Sequence, residues 1–82
     1  MLKSVFVKID DIYIPTDRRK ELDLEKADEL ALQMIDDVYF RPIHIREGKG
    51  RYVLVKGVNR LEARRSLGDE TVEAYIVSAQ KH

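Results

Sequence analysis

The 82-residue chain contains no cysteine and no tryptophan, and only two prolines and four glycines. Without thiols there is no disulfide framework, no cysteine-ligated zinc or iron–sulfur site and no thiol nucleophile. Its two histidines, His44 and His82, stand far apart in sequence, which argues against a histidine-rich metal site. Redox chemistry by this chain alone is excluded. Uncharged stretches run to a handful of residues, far short of the ~20 that a membrane helix needs. The opening Met1-Leu2-Lys3 lacks the apolar stretch of a secretion signal, so a cytoplasmic protein without membrane contact is expected. A chain this short buries only about 60% of the surface it exposes when unfolded, which leaves room for one small core. One domain over residues 1–82 follows.

Excess charge of one sign is also missing, since 15 Lys+Arg balance 15 Asp+Glu. The balance is uneven along the chain. Residues 1–41 carry 7 basic and 10 acidic side chains and residues 42–82 carry 8 and 5, so an anion site is better placed in the second half. A neutral chain lacks the basic footprint of a domain that grips DNA by itself, so DNA contact is expected to be weak or made through other domains.

What is present is a clear alternation of patterns. Val5, Val7 and Ile9 alternate as a strand with one buried face, and Ile12-Tyr13-Ile14 forms a second short extended piece ending at Pro15. Thr16 to Glu21 is charged and turn-like, a connecting loop. From Leu24 the period becomes helical through Ala27, Leu30, Ala31, Met34, Ile35 and Val38, with Asp23 as N-cap and an acidic solvated face that includes Glu25, Asp28 and Glu29. Packing is expected through Leu30, Ala31, Met34 and Ile35. Ile43 to Arg46 and Arg51 to Val55 alternate around Glu47-Gly48-Lys49-Gly50 and make a hairpin. A second helix runs from Val58 to Leu67 with Gly68 as its stop, and Thr71 to Val77 closes as a strand. The pattern predicts an α+β fold: a mixed sheet with two main helices.

The most informative junction is Val55-Lys56-Gly57-Val58-Asn59-Arg60, where a strand passes through one glycine into a helix. Free N–H groups at a helix start favour anions, and a guanidinium in the first turn can hold phosphate by two hydrogen bonds. The same residues also serve a plain tight turn with a surface cation. Candidate general bases are Glu62 and the loop carboxylates Asp10, Asp11 and Asp17, all equally readable as solvated charges. His44 alternates with Ile43 and Ile45 and should therefore face away from their side, on a wet face.

Taken together, the segments resemble the ParB/sulfiredoxin family. The matches are Ile14-Pro15; Arg19-Lys20-Glu21-Leu22-Asp23 against P-R-K-x-F-D; Leu30-Ala31; and Arg41-Pro42-Ile43-His44-Ile45 against Q-P-I-x-V. Arg51 to Ala63 looks like x-Y-x-L-I-x-G-x-x-R-x-x-A, followed by Leu67-Gly68, so the resemblance spans residues 5–77. It implies a nucleotide-binding module for CTP or ATP with magnesium. By motif position the phosphate turn is Gly57, Val58, Asn59 and Arg60, with Arg19 from the first loop and Arg41 and Pro42 on the pocket wall.

The departures are equally informative. Val58 stands where a sulfiredoxin has its catalytic cysteine, so sulfinic acid reduction is excluded. Asn59-Arg60 replaces the paired arginines of chromosome-partitioning members, and Lys56 stands where many enzymatic members place an acid. The expected role is regulatory, linked to DNA-associated processes such as partitioning or transcription and read by a protein partner or by self-association. The alternative is a small enzyme of the same fold: a nucleotide phosphohydrolase, phosphotransferase or nuclease.

Overall fold

A computed structural model describes residues 3–36 and 41–77 of the chain. Strand β1 (Ser4–Lys8) leads through a 3-10 turn (Ile9–Asp11) into the two-residue strand β2 (Ile12–Tyr13), then α1 (Thr16–Arg19) and α2 (Leu24–Asp36). The hairpin β3 (Ile43–Glu47) and β4 (Tyr52–Lys56) follows, then α3 (Val58–Ser66) and β5 (Thr71–Ile76). The sheet runs β1-β5-β3-β4-β2, antiparallel at β1/β5 and β3/β4 and parallel at β3/β5 and β2/β4. Because β3 and β5 are parallel, β4 and α3 together supply the crossover between them.

The middle strand carries the core. Ile43 and Ile45 on β3 are 1% and 0% exposed, and they pack with Val7, Ile9, Ile12, Leu54, Leu61, Val72 and Ala74. Each valine, leucine or isoleucine among them contributes about 1.5–3 kcal/mol through its removal from water. A smaller cluster of Ala31, Met34 and Ala63, flanked by Leu30 and Leu67, joins α2 to α3.

Three expectations change. The charged stretch after Pro15 is a short helix, α1, which raises the helix count to three among the described residues. On α2 the buried positions are Ala27, Ala31 and Met34, while Leu24 and Ile35 are 64% and 66% exposed. The apolar stripe is narrower than its period implied because α2 rests on α3 along the line of Ala31 and Met34, which leaves Leu24 and Ile35 outside the contact; Val38 falls outside the described residues. On β1, Val5 is 38% exposed, so only Val7 of that strand is buried. No helix among the described residues is long and apolar enough to cross a membrane.

Candidate functional site

The β4–α3 junction is built around Gly57, whose φ of 108° and ψ of 33° lie in the left-handed region. A β-carbon there would meet Ile43 Cγ2 at 2.9 Å and Arg60 Nη2 at 3.1 Å. The missing side chain therefore makes room for the protein's own core and for a guanidinium folded back over the turn. The Leu61 N–H donates to the Gly57 carbonyl at 2.9 Å, which leaves the earlier N–H groups of the first turn without helical partners.

The four turn residues divide by role. The Val58 side chain is buried at 6% exposure and joins the core. Asn59 turns its side-chain oxygen to the Asp23 N–H, accepting at 2.8 Å. Asp23 in turn caps α2, its Oδ1 accepting from the Glu25 N–H at 3.0 Å and the Lys26 N–H at 3.3 Å. The starts of α2 and α3 are thus tied together, and Val58 and Asn59 have backbone groups rather than side chains to offer a ligand. Arg60 is half-buried, and among the described residues it forms no ion pair. Burial, with Arg41 nearby, holds its guanidinium below the ordinary arginine value. A cation in that position is short of a counter-anion.

Arg41, Pro42, His44, Lys56, Arg60 and Tyr75 line a cleft of about 320 Å³. Pro42 is buried and Arg41 exposed. Three cations converge there, and among the described residues the lining contains no carboxylate. Arg41 and Arg60 also border a second groove of about 350 Å³, whose lining includes Asp69, Glu70 and Glu73 together with Phe6 and Met34. The two arginines therefore separate a cationic cleft from a mixed-charge groove.

From the first loop, Arg18 is the residue that turns inward, its Nη1 donating to the Val55 carbonyl at 3.2 Å while Nη2 lies 3.4 Å from Glu21. Arg19 stays exposed. The sequence could not distinguish the two, because the phase of a four-residue helix leaves no periodic trace. The carboxylates considered as bases are dispersed: Asp10, Asp11 and Asp17 are exposed, Glu62 is partly covered on α3, and none lines the cationic cleft. No group of three potential metal ligands occurs among the described residues.

His44 corrects the expectation of a wet strand face. It does point away from Ile43 and Ile45, but its ring lies 5.3 Å from that of Tyr75, its parallel neighbour on β5. It is only partly exposed, and its Nδ1 is buried without a hydrogen-bond partner. Burial first, then Lys56 and Arg60, lower its pKa from 6.5. Alternation gave the side of the sheet correctly; what covers that side depends on β5 and α3, which lie far away in sequence.

Known proteins share this architecture. The chain matches the ParB N-terminal domain over residues 3–82. It is 30% identical over 81 residues to a probable chromosome-partitioning protein ParB of Campylobacter jejuni, covering 98% of this chain but 29% of that relative. Sulfiredoxin from Arabidopsis thaliana superimposes with a TM-score of 0.80 at 27% identity, covering 94% of this chain and 86% of the other. A C-terminally truncated ParB from Caulobacter crescentus complexed with CTP-gamma-S gives 0.81 at 22%, covering 96% and 46%. A free serine kinase variant in complex with ADP gives 0.77 at 17%, covering 90% and 30%. The last two likenesses concern the fold alone. With the match extending over nearly its whole length, the chain belongs to the ParB N-terminal domain family.

Proposed function

We propose that this chain is a nucleoside triphosphate-binding module, taking CTP or ATP in the cleft beside the Gly57–Arg60 turn. The observation that carries the reading is Arg60: a half-buried guanidinium, folded over Gly57, with Arg41 nearby and no carboxylate paired to it among the described residues. Burying an unpaired cation is costly, and a phosphate would supply the missing charge through forked hydrogen bonds. First-turn N–H groups would add donors, Arg41 and Lys56 would flank the phosphates, and Pro42 would form part of the wall. From the first loop, Arg18 holds the inner position by its bond to Val55, with Arg19 on the exposed side. The bound ParB and kinase relatives support the class of ligand, CTP-gamma-S in one and ADP in the other.

Magnesium would arrive on the phosphate oxygens and keep much of its water, a common mode for this ion. Among the described residues the cationic cleft offers no carboxylate to activate water, which favours binding over hydrolysis as its task. Occupancy would then be read by self-association, by a protein partner or by a DNA-associated assembly such as a partition complex. Calorimetry with CTP, ATP, GTP and UTP, each with magnesium, tests the reading. Binding of at least one triphosphate is expected, and silence with all four at millimolar concentration sinks it.

A further inference from the structure

Among the described residues that line the cleft, the nucleotide reading gives no task to His44 or Tyr75, and of the two His44 is the one beside the cations. It shares the cleft with Arg41 from the segment before β3, Lys56 from β4, Arg60 from α3 and the Tyr75 ring from β5, with no carboxylate in the lining among the described residues. Its Nδ1 is buried and, among the described residues, has no hydrogen-bond partner. A buried N–H without an acceptor loses its full hydration, and orphan donors are rarer in folded proteins than under-used acceptors. A proton on Nδ1 is therefore disfavoured, and a fully protonated ring would add a fourth cation to three. The form left is the neutral imidazole with its hydrogen on Nε2.

We propose that His44 is a ligand-contacting residue that stays neutral and donates its Nε2–H to a phosphate oxygen of the ligand held among Arg41, Lys56 and Arg60. The three cations concentrate anionic oxygen at this point, and a neutral donor reads it without further repulsion. Packing against Tyr75 fixes the ring plane, so the donor is oriented in advance. The inference rests on the anion-binding reading of the cleft, but it assigns a residue and a protonation state that the reading does not require.

The test combines titration calorimetry with tripolyphosphate and with CTP, nitrogen NMR of the His44 ring, and two variants. Glutamine can place an amide N–H near the position of Nε2 without titrating. His44→Gln should therefore bind within about threefold of wild type, and His44→Ala should lose about tenfold, the loss expected for one hydrogen bond to a charged acceptor. Heats measured in buffers of different ionisation enthalpy should show no proton taken up near pH 7, and the ring should carry its hydrogen on Nε2 with and without ligand. Proton uptake on binding, an Nδ1–H ring, or an unchanged His44→Ala variant overturns the role of His44 and leaves nucleotide binding intact. Failure of the wild-type protein to bind either compound overturns both.

Discussion

The two ends of α3 pose the same local problem and solve it differently. Each joins a glycine at positive φ to an arginine: Gly57 at 108° with Arg60, and Gly68 at 83° with Arg64. At the C-terminal end the groups are satisfied within the chain. The Asp69 N–H donates to the Arg64 carbonyl at 3.2 Å and the Gly68 N–H to the Arg65 carbonyl at 3.0 Å, the paired bonds of a Schellman cap. Arg64 also lies 3.4 Å from Asp69, and a β-carbon at Gly68 would meet nothing. At the N-terminal end the glycine is crowded, first-turn donors remain, and Arg60 has a like charge for a neighbour. One end closes the helix on itself; the other leaves backbone donors and a guanidinium without partners among the described residues. Substitutions at both ends can break or sharpen that contrast.

The largest effect is expected from Gly57→Val. A β-branched residue at that φ is strained, and its methyl groups would be driven into Ile43 and Arg60, so a loss of about 3 kcal/mol or more is expected by thermal or urea unfolding. Nucleotide affinity should fall with it, measured at a temperature where the variant is still folded. A variant as stable as wild type would show that the turn has room and that the crowding at Gly57 is misread.

Next comes Arg60→Ala, which should weaken nucleotide binding by about tenfold to a hundredfold through loss of charge-assisted bonds, with little change in stability. Arg46→Ala, on β3 but outside the cleft lining, is the charge control and should change affinity little. Equal losses in the two variants would mean a diffuse basic surface in place of a cradle at the helix start.

How much of this contrast was legible in the sequence differs between the two ends. Gly68 after Leu67, with a strand to follow, announced a helix stop, and the cap has that form. The strand–Gly–helix pattern likewise located the other junction, but it carried no sign that Ile43 and Arg60 crowd the space beside Gly57. Local periodicity specifies which side of an element a residue takes. It does not specify what packs there, so the overestimated stripe of α2, the choice between Arg18 and Arg19 and the covering of His44 all needed the tertiary arrangement. The succession of elements along the chain and the hairpin followed from alternation and turn chemistry because those signals are short-range, whereas the order of strands in the sheet is set by long-range pairing.

Gly68→Ala is the counterpart of the first substitution and should be milder. With open space around it, only the backbone penalty of the left-handed conformation remains, about 1 kcal/mol, or about 4–8 °C in Tm for a domain of this size. Nucleotide affinity should stay within error of wild type. A marked loss of affinity would remove the functional asymmetry between the ends.

The smallest effect expected is a pH dependence of stability that originates at the N-terminal end. His44 has its pKa below 6.5 in the folded protein because of burial and of Lys56 and Arg60, whereas in the unfolded chain it titrates near 6.5. Between the folded value and 6.5 the unfolded chain holds more protons, so the stability of the ligand-free protein rises with pH across that window. Acidification through 6.5 should therefore destabilise the fold, and this contribution should be fully lost once the pH is below the folded value. Carboxylates add their own acid sensitivity at lower pH, so the measurement is the difference between wild type and His44→Gln in urea midpoints from about pH 7.5 down to about pH 5. Arg60→Ala should shrink that difference, since it removes one of the charges acting on the ring, while a change at Arg64 should leave it alone because Asp69 already balances that arginine. Identical pH profiles for wild type and His44→Gln would show that the ring titrates as freely in the fold as in water, and the electrostatic contrast between the two ends of α3 would then fail at His44.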